Sequence, residues 1–120
     1  MLLVMFLVIL LFYSYNQASL IILVGGFMSV VRVTTITFDS NEAADILKES
    51  YAENAPNDFP EAEQLLGIHA EGNMFIAVSL YADNEAMERA SATRGKALDS
   101  IQGIVSVDTK VGTVEINHTN

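Results

Sequence analysis

Residues 64–81 read QLLGIHA-EGN-MFIAVSLY, two β-prone segments joined by Glu71-Gly72-Asn73. Gly and Asn readily adopt the positive φ that a tight reversal requires, so this stretch predicts a β-hairpin. Its second segment is apolar on both sides. Met74, Ile76, Val78 and Leu80 fall on one face, and Phe75, Ala77, Ser79 and Tyr81 on the other. A strand with one face in water alternates apolar with polar residues. This one does not, so it belongs at the centre of a sheet with both faces covered.

Upstream, residues 30–38 (VVRVTTITF) are rich in β-branched side chains and predict a first strand. Asp39, with Glu42 three residues on, has capping-box spacing. Ile46, Leu47, Ser50 and Tyr51 then recur at helical intervals, so residues 40–53 predict an amphipathic helix. Residues 54–60 (NAPNDFP) are turn chemistry that ends it. Downstream, Asp83 caps a second helix with Met87, Ala90, Ala97, Leu98 and Ile101 on its apolar side, and Gly103 suits the position just past its end. Residues 105–107 and 111–116 supply a last strand, interrupted or extended at 108–110.

The order is therefore β-α-β-β-α-β. Two right-handed crossovers give a four-stranded antiparallel sheet of order 4-1-3-2, an α+β sandwich of the ferredoxin-like type with two helices on one face. Those helices leave the other face open. In the first strand Val31 and Val33 lie on one side and Val30, Ile36 and Phe38 on the other, so this strand too is apolar on both faces. An uncovered apolar face of that size is unfavourable in water. A second copy laid on it gives a closed two-fold arrangement, so a homodimer through the open sheet face is expected.

On this element order, this hairpin and these two-faced strands, residues 30–117 resemble the dimeric α+β barrel superfamily, which includes the antibiotic-biosynthesis-monooxygenase-like domains. The resemblance implies dimerisation into an α+β barrel. Members include cofactor-independent monooxygenases, haem-degrading enzymes, isomerases and proteins with no known reaction. The oxidative members often place an Asn, a Trp and a His around the pocket. This chain has no Trp and no Asn in its first strand, so neither role carries over.

Composition narrows the classes further. With 15 acidic against 6 basic residues the formal net charge is −9, which argues against nucleic acid and against anionic lipid surfaces. With no cysteine there is no thiolate nucleophile, disulfide or thiolate-ligated metal. The two histidines are too few for a transition-metal site, and no cofactor is expected.

Residues 1–27 stand apart from the domain at 28–120. They carry no charge and are mostly aliphatic, interrupted by Ser14-Tyr15-Asn16-Gln17. Three readings compete. The stretch is long enough for a membrane anchor, though the polar patch would sit near the bilayer centre. As a secretory signal it lacks a positive n-region and a clean cleavage site. As upstream DNA read in frame, Gly25-Gly26 would encode a ribosome-binding sequence before a true start at Met28. A start at Met28 implies a cytoplasmic protein; otherwise the chain is anchored or exported, and a membrane is a partner only if residues 1–27 are translated.

Candidate ligand-binding residues are Tyr51, His69, Phe75, Ser79 and Tyr81, with Phe59 as a further wall. Together they suit a cleft between sheet and helices that takes a small, largely apolar ligand. His69 is the histidine with acid–base potential. A two-residue hairpin loop would set it beside Ile76 and Val78, and a three-residue loop beside Phe75, Ser79 and Tyr81. Ser79, Thr35 and Thr37 are polar interruptions in apolar strands, and buried hydroxyls need partners. The acidic loop of Asp58, Glu61 and Glu63 lacks calcium-loop spacing and reads as solvated. Arg94-Gly95-Lys96 fails as a phosphate loop because it lies inside a helix, and close helix packing would explain its Gly95. Asn117-His118-Thr119 matches a short glycosylation pattern. The ligand-binding reading competes with a cofactor-independent monooxygenase or isomerase acting on a hydrophobic carbonyl compound through His69 or Tyr81, and with a membrane-tethered interaction domain.

Overall fold

In the computed structural model, residues 29–120 are described, and the readings made of residues 1–27 fall outside them. Strand β1 (Val30–Phe38) is followed by helix α1 (Asn41–Asp58), strands β2 (Gln64–Ala70) and β3 (Met74–Tyr81), helices α2 (Asn84–Arg89) and α3 (Ser91–Ser100), and strand β4 (Ile104–Thr113). The sheet order is β2-β3-β1-β4, the expected 4-1-3-2 read from the other edge, with every neighbouring pair antiparallel. The two strands that are apolar on both sides hold the centre.

Burial along β1 shows which face the helices cover. Val30, Arg32, Thr34, Ile36 and Phe38 are buried, while Val31, Val33, Thr35 and Thr37 are only partly so. The register carries this face to Phe75, Ala77, Ser79 and Tyr81 of β3 and to Leu65, Gly67 and His69 of β2. On it sit two apolar clusters. One joins Ile36, Phe38 and Phe75 to Ala44 and Leu47 of α1, with Tyr51, Leu98 and Ile101 packed against it. The other joins Val30 and Tyr81 to Ala86 and Met87 of α2. Each large side chain buried there contributes about 2–3 kcal/mol.

The hairpin resolves the direction of His69. Ala70 pairs with Met74 and His69 with Phe75, so the loop has three residues. Glu71 and Gly72 both take positive φ, 56° and 76°. Gly67, opposite Ala77, is required for a different reason. A Cβ there would lie 2.7 Å from Phe75 Cζ and 3.3 Å from Tyr51 Cδ2, so the strand must lack a side chain where the two rings meet.

Three expectations give way to tertiary context, and the choice left open at residues 108–110 resolves to the extended strand. Ser40, not Asp39, caps α1, accepting from the Ala43 amide at 3.1 Å. Asp39 is held instead by its own amide, which donates to the Gly103 carbonyl at 2.8 Å. Helix α1 also runs through Pro56 to Asp58 instead of ending at residue 53. Proline removes one helical donor, but Ala55 beside it is buried and accepts from the Phe59 amide at 2.9 Å, so packing holds the last turn. The second helix is two helices. The Ala90 amide turns back to the Met87 carbonyl at 3.1 Å, so α2 lies over one apolar cluster and α3 reaches the other. Finally, β4 is continuous through 108–110, because β1 offers a partner from Thr37 to Val30 against Ser106 to Thr113. The irregularity falls between Thr37 and Phe38, where Val105 is the extra residue.

Candidate functional site

Between the two apolar clusters the covered face changes character. The residues that fill the gap are Arg32 and Thr34 on β1 and Ala77 and Ser79 on β3. Neither Ala nor Ser is large enough to fill the space between the sheet and helices α1 and α3, and a cavity of about 80 Å³ remains. Its walls come from Leu47 and Tyr51 of α1, Phe59 beyond it, Phe75 and Tyr81 of β3, and Arg94, Leu98 and Ile101 on and after α3. Most of this surface is apolar, with the polar groups converging on one side.

Two of those polar groups are arginines. Arg32 is 7% exposed, and its Nη2 donates to the Met87 carbonyl at 3.3 Å and to Ser91 Oγ at 3.4 Å, both long. The Arg94 Nη2 donates to Thr34 Oγ1 at 3.0 Å and to Thr109 Oγ1 at 2.8 Å. Among the described residues, neither guanidinium has a carboxylate partner. The ion pairs are Lys48–Asp45, Arg89–Glu61 and Lys110–Asp108, all on the surface. Partial burial, and secondarily the charge of Arg32, push the Arg94 guanidinium below its ordinary pKa, and Tyr81 offsets this in part.

The phenols complete the site. Burial pushes Tyr51 and Tyr81 above the usual phenol range, and the charge of Arg32 pulls Tyr81 partly back. Both are therefore neutral hydrogen-bond donors at physiological pH. Ser79 lies near enough to both phenols to moderate the shifts, yet it forms no hydrogen bond of good geometry with Tyr51, whose Oη is buried without a partner. Tyr51 is fixed by its ring, packed edge-on against Phe75 with centroids 5.2 Å apart. A buried hydroxyl left without a partner is uncommon and costs roughly 1–3 kcal/mol.

Of the residues expected from sequence, Tyr51, Phe59, Phe75, Ser79 and Tyr81 are brought together around this cavity. His69 is not. It lies on the helix side but at the edge strand, with Nε2 on the Gly72 carbonyl at 2.8 Å and Nδ1 3.8 Å from Asp45 Oδ1, where it ties the hairpin to α1. Thr35 and Thr37 belong to the open face, and the hydroxyl that reaches the cavity is that of Thr34. In the acidic loop, Glu61 is bound by Arg89 at 2.6 Å and Glu63 accepts from Ser29 at 2.9 Å. Among the described residues there is no cluster of His, Asp and Glu able to hold a metal, and no helix long and apolar enough to cross a membrane. Gly95 has no packing role, since a Cβ there would meet nothing within 4 Å.

Arg32, Thr34 and Arg94 were missed as site residues. The signal for Arg32 was present: it shares strand parity with Val30, Ile36 and Phe38, and a charge at a core-face position is a departure from pattern. For Arg94 there was no such signal, because the break at Ala90 sets the rotation of α3.

No family model matches the chain, and no curated protein matches it. Solved structures do. A dimeric ferredoxin-like protein from an uncultured marine organism superposes with a TM-score of 0.62 at 10% identity, covering 78% of this chain and 93% of its own. A monooxygenase from Streptomyces coelicolor, solved with nanaomycin D, gives a TM-score of 0.59 at 18% identity over 78% and 93% of the two chains. A variant of MhuD with two manganese protoporphyrins per active site gives 0.58 at 13% identity over 76% and 99%. At these identities the likeness establishes the fold alone: this chain has the ferredoxin-like α+β fold of these structures.

Proposed function

We propose that the chain is a homodimeric binding domain that takes a small, largely apolar ligand between its sheet and helices. The observation that carries this reading is the cavity of about 80 Å³ that parts the two apolar clusters, with apolar walls and a buried hydroxyl awaiting a partner. That volume is about half the roughly 150 Å³ of a cavity that binds benzene freely, and the cavity is open to solvent on one side, so a single-ring ligand would seat only part of its body there. Dimerisation is supported by the open face, where Leu66 and Ile68 are exposed beside Ile76 and Val78, and by the dimeric state of one structural neighbour. Calorimetric titration with benzamide, a neutral single-ring probe, tests the pocket. Saturable binding is expected, with loss of it in Ala97→Leu, which places a larger side chain on the cavity wall. Undiminished binding by that variant would move the site elsewhere.

A second reading is a cofactor-independent oxygenase acting on a hydrophobic carbonyl compound. It is favoured by Tyr81 being buried at the cavity and by two neighbours, a monooxygenase and a cofactor-independent oxygenase. His69, the other acid–base candidate, lies outside the cavity, so this chemistry would rest on Tyr81. Oxygen consumption that depends on both substrate and the Tyr81 hydroxyl, and is lost in Tyr81→Phe, would favour it over simple binding.

A further inference from the structure

The geometry points to a carboxylate on the ligand: the cavity is built for a small apolar body bearing one carboxylate, held by Arg32 and Arg94 with Tyr51 as a donor. This rests on the binding reading above and specifies its ligand class. The protein has 15 acidic and only 6 basic residues, yet two of those six line one cavity and no acidic residue lines it. Among the described residues, Lys48, Arg89 and Lys110 each stand against a carboxylate and Lys96 is exposed to solvent, whereas Arg32 and Arg94 lie at the cavity and rest on hydroxyls and a carbonyl alone. A buried cation such as Arg32 without a counter-ion is costly, and the partly exposed Arg94 beside it adds to that cost. A third group shares the deficit, since Tyr51 Oη has no acceptor.

One guest satisfies all three. A carboxylate offers two oxygens and about four lone pairs, matching a planar guanidinium fork and leaving an acceptor for a phenol. A guanidinium carries donors and no acceptor, and both phenols remain protonated, so these four groups present hydrogens to a guest. The apolar lining, including Leu47, Phe75, Leu98 and Ile101, suits a hydrocarbon body. The net negative surface does not exclude an anion. Charges more than about 8–10 Å away are largely screened at physiological salt, and the two cations act at contact distance.

The larger depression between the ends of α1 and α3 offers a contrast. It is wider, at about 560 Å³, but is lined by Asp39 and Glu42 and by no cation. The cationic pairing therefore marks a specific place in the fold.

The test compares benzoate, benzamide and inorganic phosphate by calorimetric titration of the full chain at fixed ionic strength. Benzoate is expected to bind at least 10-fold more tightly than benzamide. Arg32→Met and Arg94→Met, which keep length and apolar bulk, are expected to bring the two ring ligands to parity while benzamide binding persists. That persistence also reports that the variants are folded. Equal binding of benzoate and benzamide by the unaltered protein would overturn the carboxylate inference and leave the apolar pocket standing. Phosphate binding as tightly as benzoate would reduce the arginines to a general anion site and would also overturn it. Binding of neither ring ligand would remove both readings together.

Discussion

The two faces of the sheet invert the usual distribution of polarity. The covered face holds Arg32, Thr34, Ser79 and the Tyr81 hydroxyl, and the helices above it add Arg94 and the Tyr51 hydroxyl. The open face presents Val31, Val33, Leu66, Ile68, Ile76, Val78 and Leu80 with no element of the described chain above them. A domain content with its own contacts would arrange these the other way round. Each face is therefore incomplete in a different sense: the apolar one lacks a cover, and the polar one lacks a counter-charge. That difference separates assembly from ligand chemistry, and it predicts that substitutions on the two faces will have separable effects.

The largest effect is expected from Phe75→Ala. Phe75 is 2% exposed at the heart of the first cluster, and its loss should cost about 3–5 kcal/mol in chemical denaturation. Its neighbour Ile76 faces the other way. Ile76→Lys should leave the protomer folded by circular dichroism while light scattering reports a monomer. If instead the second change unfolds the protomer and the first does not, the assignment of faces is wrong.

Next in size is Gly67→Ala. The new methyl would press on Phe75 and Tyr51, whose rings pack edge-on, and should cost about 1–3 kcal/mol by overpacking. The same change on the open face has no ring to meet, so Ala70→Val, whose position faces away from the helices, should shift the unfolding midpoint far less.

A smaller effect of opposite sign is expected from Arg94→Met in the ligand-free protein. Burial and Arg32 both disfavour the Arg94 charge, so removing it should leave stability unchanged or raise it by up to about 1 kcal/mol, the half-exposed position limiting the gain. A residue serving only as scaffold would instead lose stability when replaced.

The smallest effect is in alkaline solution. Tyr51 and Tyr81 have folded pKa values raised above the ordinary value near 10, so the stability linked to their protons is intact below that pH. It declines as pH rises through the folded values. Comparison of unfolding midpoints at pH 7 and about pH 11 should show a smaller loss for Tyr51→Phe than for the unaltered protein, with tyrosinate absorbance at 295 nm tracking the change.

Much of this was legible in one strand's alternation. Residues that are apolar in both registers, as in MFIAVSLY, require two covered faces wherever they sit, and that requirement led from a hairpin to a central strand and then to the sheet order. Three of the residues now around the cavity, Phe75, Ser79 and Tyr81, were reached in the same way, because parity on a strand is fixed at two residues per repeat, and Tyr51 was reached by helical spacing. Where a residue's environment depends on a partner distant in sequence, the chain was silent or misleading. Asp108–Lys110 look like a turn, but β1 supplies them with a ladder. Pro56 looks like a stop, but the buried Ala55 beside it carries the helix on.

The sequence alone determined the element order, the sheet topology and the two apolar faces, since each follows from local periodicity and the handedness of crossovers. Only the tertiary structure decided that the hairpin loop has three residues, that His69 is spent on holding it, and that Arg32 and Arg94 meet over one cavity. The reason is physical. Side-chain period is a property of the strand itself, whereas the rotation of α3 at the Ala90 break is set by how two apolar clusters, one around Ile36, Phe38 and Phe75 and the other around Val30 and Tyr81, are filled from above.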